Sequence, residues 1–381
     1  MGASMAENQR MMAGGVRYWD YLPDYHRQRE EILSVIDGVF GSGRLILGNR
    51  VADFEKRFAA FCNAGYGVGV NSGTDALFLA LKALDVGPDH EVITVANTAV
   101  PTVAAIRATG ARPVFVDVQQ DTFLMDVAKI EAVLTPRTRC ILPVHLCGQS
   151  VDMAPLLEIA RSRGIGVVED CAQAAGALYR GENVGSMGDM GAFSFYPTKI
   201  LGAFGDGGMV TTSRDDLYRR LRRLRFYGME GSYYAEEEGY NSRLDEVQAA
   251  LLDFRLQTLE SEMLARSALA DAYHRGLAGV GDLTLPVVGE GYTHRYYLYT
   301  IRTGRRDRLM AHLAERGIET RINYPTPVHL MRGYAFLGYR QGALPVTERL
   351  AAEILSLPLY PSLPADDVAR VIEAVRSFFE A

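Results

Sequence analysis

Two residues stand where they could share one piece of chemistry. Asp170 ends the apolar run Gly166-Val167-Val168-Glu169-Asp170, and Lys199 follows the aromatic stretch Phe193-Ser194-Phe195-Tyr196-Pro197-Thr198. A carboxylate facing a pyridine nitrogen keeps that nitrogen protonated. A lysine held in an apolar site has its pKa lowered by desolvation and can condense with an aldehyde. Pyridoxal 5'-phosphate requires both. Taken singly, Asp170 reads as a helix cap or salt-bridge partner and Lys199 as a surface lysine, but the segment before Lys199 is too apolar for a solvated loop. The two residues together favour the chemical reading.

A third element fits the same cofactor. In Asn71-Ser72-Gly73-Thr74 a strand turns into a helix and leaves free backbone N–H groups at the helix N-terminus, which suits a phosphate; a capped helix with nothing bound is the plainer alternative. Gln173, three residues after Asp170, lies on the same side of a turn and could donate to a phenolic oxygen. Cys140, His145 and Cys147 include no Cys-x-x-Cys pair, so no metal site is expected, and with Cys62 and Cys171 the cysteines read as buried thiols.

The elements that must position these residues form a repeating pattern. After a helix, a glycine-rich break at 41–48 and a second helix within 27–61, strands at 66–71, 91–95, 113–118, 140–144 and 166–169 alternate with helices at 72–84, 100–108, 127–133 and 154–163. Continuously apolar strands alternating with helices predict an α/β fold with a mostly parallel sheet covered on both faces, and ligands at the carboxyl ends of its strands. Asn71, His145 and Asp170 fall at such ends. The arginine-rich segment 214–225 reads as a helix with a solvated face. A long helix from Arg243 loses its register near Ala265, which places a boundary there: residues 1–16 an N-terminal extension without order, 17–264 a large cofactor domain and 265–381 a smaller C-terminal α/β domain. The smaller part should contain a strand at 296–302, a helix at 306–316, an extended stretch at 318–323 and a terminal helix around Val368–Val375.

The chain has 381 residues, 48% of them hydrophobic, and a net charge of −6. It is long enough for a large core and a second domain, and its charge gives no general attraction to nucleic acid or an anionic membrane. The sequence lacks both a bilayer-spanning apolar run and a signal-peptide pattern, so the cytoplasm is the default expectation.

Six motifs carry a resemblance: Asn71-Ser-Gly-Thr-Asp-Ala-Leu77, Pro143-Val-His-Leu-Cys-Gly-Gln149, Glu169-Asp-Cys-Ala-Gln173, Phe193-Ser-Phe-Tyr-Pro-Thr-Lys199, Gly205-Asp-Gly-Gly208 and Asn241-Ser-Arg-Leu-Asp-Glu246. From about Leu47 onward the chain resembles the DegT/DnrJ/EryC1/StrS family of sugar aminotransferases, pyridoxal-phosphate enzymes of fold type I. The resemblance implies Lys199 as the Schiff-base lysine and general acid–base, Asp170 at the ring nitrogen, Gln173 at the phenolic oxygen, and Gly73, Thr74 and Ser194 at the phosphate. It further implies that Asn241 reaches the phosphate of a neighbouring subunit in a homodimer. Tyr324 and His329, from a segment similar to the family's His-Tyr-Pro-x-Pro-x-His, are candidates for the substrate side, and a rigid proline turn is the alternative for each.

The implied reaction moves an amino group from L-glutamate to a nucleotide-linked keto-deoxysugar, a dTDP sugar, with C3 favoured over C4. A sugar dehydratase, which carries histidine at the position of Lys199, and a non-catalytic regulator on the same fold are the alternatives. Two positions depart from the family pattern. Ala99 stands where an aromatic residue stacks on the ring, leaving Val100 or Pro101 to pack it, and Asn323 replaces the first histidine of the proline-rich segment.

Overall fold

The computed structural model describes residues 14–380, so most of the expected N-terminal extension lies outside the described residues. Within it, Val16 is buried and is held on both sides by backbone bonds, donating to Gly317 O at 2.8 Å and accepting from Glu319 N at 2.9 Å.

The first helices are α1 (Leu22–Arg27), α2 (Arg29–Gly41) and α3 (Asn49–Phe61), the last two separated by the expected glycine-rich break. There follow β1 (Tyr66–Val70), α4 (Gly73–Ala83), β2 (Glu91–Val95), α5 (Val100–Ala108), β3 (Arg112–Val116), β4 (Thr138–Ile141), α6 (Met153–Arg163), β5 (Gly166–Asp170), β6 (Met190–Ser194) and β7 (Gly208–Thr212). The strands form one seven-stranded sheet in the order β1-β7-β6-β5-β4-β2-β3. Only β7 runs against its neighbours, pairing antiparallel with β1 and β6, while the other adjacent pairs are parallel.

That topology determines where the chemistry sits. The carboxyl ends of β1, β2, β5 and β6 fall along one edge of the sheet, and the start of β7 joins them: Gly208 is opposite Val70 on one side and Ser194 on the other. Both faces are covered, as apolar strands require. One face packs on α4 and its neighbours through Leu77, Leu81, Ile93 and Ile141. The other carries an aromatic group in which the Phe58 ring meets Phe193 and Phe195 edge-on, with centroids 5.0 and 5.1 Å away.

The other principal elements are α7 (Asp215–Leu224), α8 (Glu246–Leu256), α9 (Leu259–Leu277), β8 (Tyr299–Arg302), α10 (Arg306–Glu315), α11 (Pro345–Glu353), β9 (Ile354–Leu357) and α12 (Ala365–Glu380), beside a small sheet of three two-residue strands, Leu178–Tyr179, Glu182–Asn183 and Tyr292–Thr293. β8 and β9 pair antiparallel and, with Tyr273, Leu277, Val371 and Val375, build a second core. Val16 also belongs to this core, which ties the start of the described chain to its end.

Two expectations about elements need correction. The helix expected at 127–133 is a pair of three-residue 3₁₀ turns, Val127–Lys129 and Glu131–Val133. Thr135-Pro136 follows at once and leaves no room for longer helical bonding. The long helix from Arg243 is two helices, with Gln257 and Thr258 as a short turn between them. It begins only at Glu246 because Ser242 and Arg243 are bound instead to Asn71 and Asp75: Asn71 N donates to Ser242 Oγ, Arg243 N donates to Asn71 Oδ1, and Ser242 Oγ donates to Asp75 Oδ2. The second helix, α9, runs unbroken through Ala265, with Leu259 and Met263 in the aromatic core and Ala270, Tyr273 and Leu277 in the second core.

Candidate active site

At the sheet edge a cavity of about 370 Å³ is lined by residues from many parts of the sequence, among them Gly73, Thr74, Asp170, Gln173, Ser194, Lys199 and Tyr324. The fold thus brings together seven of the nine candidate residues. Asp170 is buried at the last position of β5. Its Oδ2 accepts from Thr102 Oγ1 at 2.8 Å and its Oδ1 from Ala172 N at 3.1 Å. Thr102 Oγ1 lies 2.8 Å from Thr98 Oγ1, so two hydroxyls in series reach the carboxylate. Burial pushes the Asp170 carboxyl above its ordinary value, against the opposing pull of the Thr102 hydroxyl, the Ala172 amide and the positive charge of Lys199. A cation placed against it, such as a pyridinium N–H, would offset that cost.

Ser72, which also lines the cavity, caps α4 by accepting from Asp75 N at 3.1 Å. The N–H groups of Gly73 and Thr74, the first two of the helix, have no intrahelical acceptor and face the site at the positive end of the helix dipole. A Cβ on Gly73 would lie 2.6 Å from Ser194 Cβ, so only glycine lets the helix start approach β6 this closely. The result is a cup of two amides and the Ser194 side chain, whose size and polarity fit a phosphate. In the same cavity, the Lys199 ammonium sits over the Tyr297 ring, 4.6 Å from its centroid. A carboxylate, an anion cup and an amine lining one cavity match the polar groups of pyridoxal phosphate.

Gln173 is fixed by two bonds. Its Oε1 accepts from Cys147 N at 2.8 Å and its Nε2 donates to Tyr324 Oη at 3.0 Å, leaving one amide hydrogen for the cavity. Burial raises the Tyr324 phenol well above its ordinary value, so it stays a hydroxyl.

Two candidates are not brought to this cavity. His329 is buried elsewhere, its Nε2 3.0 Å from Glu348 Oε1 and its ring beside Phe115 and Tyr339. Asn241 is exposed, and only its backbone carbonyl touches the phosphate turn, accepting from Asn71 Nδ2 at 3.1 Å. It does not cap α8 either, since Asp245 occupies that position.

His145 also leaves the cavity, although it follows β4. Its Nε2 is 2.9 Å from Glu169 Oε2, and its Nδ1 accepts from Val151 N, so this neutral ring donates to the carboxylate. Glu169 also receives the amides of Gly185, Met187 and Gly188. His145, Glu169 and Cys171 come close enough to suggest a cation site, but these bonds already use both ring nitrogens and both carboxylate oxygens. The site residues missed in the sequence are Thr102, Thr98, Tyr196 and Tyr297. Thr102 could have been found as a hydroxyl in the first turn of a helix at the strand-end edge; Tyr297 carries no local signal.

The match to known proteins follows the same geometry. Residues 26–376 fit the model of the DegT/DnrJ/EryC1/StrS aminotransferase family. The chain belongs to that family. A transaminase of Micromonospora megalomicea subsp. nigra, named for dTDP-3-amino-3,4,6-trideoxy-alpha-D-glucose, is 53% identical over 94% of this chain and 97% of its own length. One of the same name from Streptomyces venezuelae is 46% identical over 99% and 98%. The crystal structure of S. venezuelae DesV in complex with a ketimine intermediate superimposes with a TM-score of 0.94 at 47% identity, covering 96% of this chain and 99% of that one. As a DegT/DnrJ/EryC1/StrS enzyme of fold type I, the chain is a pyridoxal-phosphate-dependent sugar aminotransferase, as the motifs implied. Among the described residues no helix is long and apolar enough to cross a membrane.

Proposed function

We infer that the chain transfers an amino group from L-glutamate to C3 of a dTDP-linked keto-deoxysugar, working as a two-fold dimer. The observation that carries the reading is the placement of Asp170 and Lys199 in one cavity with the Gly73–Thr74 anion cup. The names of the two dTDP-3-amino-sugar transaminases support the sugar, the nucleotide and the carbon. The cofactor, when bound, supplies an aldehyde that takes up the amino group and a ring that accepts electron density from the substrate carbon.

The residues do the rest. Asp170 holds a proton at the ring nitrogen, and the Thr98–Thr102 hydroxyls orient the carboxylate that does so. Gly73 and Thr74 amides with the Ser194 hydroxyl hold the phosphate, and the free amide hydrogen of Gln173 meets the phenolic oxygen. Lys199 would hold the aldehyde end of the cofactor, and its Nζ would move the proton on and off the substrate carbon. Tyr324 faces the sugar. Pro101 and Ala99 line the cavity and Val100 does not, which favours Pro101 for packing the ring.

The presence of lysine at 199 argues against the dehydratase. One relative, 44% identical, is named a pleiotropic regulatory protein, but the intact Asp170–Lys199 pair favours catalysis here. The dimer is supported by Asn241, which is exposed and without a capping role, and by exposed apolar side chains around Tyr21, Phe204, Phe40 and Leu45.

The test is a mass-spectrometric assay with pyridoxal phosphate, glutamate and a panel of 3-keto and 4-keto dTDP sugars. Amination of a 3-keto sugar is expected, and amination of 4-keto sugars alone would reverse the C3 assignment. Borohydride should fix the cofactor on Lys199, and peptide mapping to another lysine would remove that residue from its role.

A further inference from the structure

Tyr297 lines the cavity of Asp170 and Lys199 and also a second one, of about 420 Å³, whose wall includes Trp19 and Arg321. Its backbone is fixed from several sides. Arg295 N donates to Gly148 O at 2.8 Å, Tyr296 N donates to His294 Nδ1 at 2.9 Å, and Arg266, a buried guanidinium on α9, donates to Tyr296 O at 3.3 Å. The approach of this segment to the turn at 146–148 depends on a glycine. Gly148 has φ +106°, and a Cβ there would lie 2.9 Å from Tyr296 N and 3.0 Å from Tyr297 N.

The tyrosine so placed meets the Lys199 segment twice. Its ring centroid is 4.6 Å from Lys199 Nζ, and its hydroxyl is 3.1 Å from Thr198 Oγ1, on the residue before the lysine. Nζ itself has no hydrogen-bond or ion-pair partner among the described residues, although Asp170 lines the same cavity. A half-buried ammonium without such a partner is attracted by the negative face of an aromatic ring, and the free amine is not. The distinction matters for a residue that carries a proton, because it passes through its charged form in every cycle. On a flexible four-carbon stem that charge could swing to the Asp170 carboxylate or into the anion cup and occupy groups that the cofactor requires. A ring face holds the charge and leaves both free.

We propose that Tyr297 is the positioning residue of Lys199: its ring face, steadied by the bond to Thr198, holds the ammonium form of Nζ in the first cavity. This rests on the assignment of Lys199 as the proton carrier and adds the group that keeps its charge apart from Asp170.

The test is competitive acetylation of the full chain without cofactor, using acetic anhydride and read by mass spectrometry at Lys199, with the exposed Lys56 as internal reference. The reagent attacks only the free amine. Tyr297→Leu removes the ring face, so the Lys199 rate near neutral pH should rise by about two- to thirtyfold, the span of such contacts, while its alkaline plateau stays in place. Tyr297→Phe keeps the face and should recover most of the wild-type rate. Circular dichroism checks each fold, and Tyr297→Met, unbranched and without a ring, replaces Tyr297→Leu if that chain does not fold. A rise by the same factor at every pH would mean that the substitution merely opened the site, and no rise would mean that the ring does not hold the charge. Either result overturns the proposal, as does a Tyr297→Phe chain that labels like Tyr297→Leu. Because the labelling is done without cofactor, it decides the contact by itself; borohydride mapping to another lysine would instead strike the role of Lys199.

Discussion

The two cavities that meet at Tyr297 are built in different ways. The first takes its groups from short motifs at the ends of neighbouring strands: Gly73 and Thr74 after β1, Thr98 and Thr102 after β2, Asp170 at the end of β5, Ser194 at the end of β6. The second takes Tyr18 and Trp19 from the start of the described chain and Glu319, Arg321 and Asn323 from about 300 residues later. The reacting atoms demand fixed residue types, and a parallel sheet offers fixed places for them. The residues that the second cavity does not share with the first come from no strand of that sheet, so nothing in its repeating pattern announces them.

The largest effect expected from breaking the first cavity is at Lys199. Lys199→Ala should abolish turnover with the fold retained, since no second amine lines the cavity. Near-normal turnover would end the assignment. Asp170→Asn should cost activity by orders of magnitude while the bound chromophore persists, because size is kept and the charge opposite the ring nitrogen is lost.

The same substitution has a consequence of opposite sign without cofactor. Burial raises the folded Asp170 carboxyl above its ordinary value, so the folded state binds a proton more readily than the unfolded one. Its contribution to stability is then greatest below the ordinary carboxylate range and falls as pH rises through the raised folded value. Cofactor-free Asp170→Asn escapes that loss and should melt higher than cofactor-free wild type at neutral pH. A lower melting temperature would mean that the carboxylate is well solvated or paired.

A mixing experiment addresses Asn241, one of the two candidates that the fold keeps away from its own first cavity. Lys199→Ala and Asn241→Ala chains, inactive or crippled alone, are co-expressed. If Asn241 serves the partner's phosphate, each heterodimer has one site with both residues intact, and activity should reappear. A mixture no more active than its parents would end the shared-site reading.

These outcomes bear on what was legible beforehand. The strand order was not readable from the sequence, yet the alternation of apolar strands with helices was enough to place Asn71 and Asp170 on one edge. His145 shows the limit of that rule. It follows a strand end as required, but its ring turns into the protein because Glu169 and the Val151 amide satisfy both nitrogens there. His329 failed in the same manner, since a histidine beside prolines looks reactive until Glu348 appears next to it. Thr102, in contrast, was hidden only because threonine in a helix's first turn is so ordinary.

Thr102 therefore supplies the finest test of the difference between the cavities. Its hydroxyl donates to Asp170 Oδ2 at 2.8 Å inside a buried site, without itself being required to touch substrate. Thr102→Val keeps the shape and removes the donor, so the carboxylate loses a charge-assisted bond worth about 1.5–3 kcal/mol and its pKa should rise further. The expected loss is about tenfold or more in kcat, with little change in KM for the sugar nucleotide, and the acidic limb of the pH profile should move upward. Thr102→Ser, which keeps the hydroxyl, should restore both kcat and the limb. If Thr102→Val raised KM for the nucleotide and left the limb unmoved, the hydroxyl would belong to substrate recognition, and the reading of the strand-end groups as fixed by the chemistry would fail at this residue.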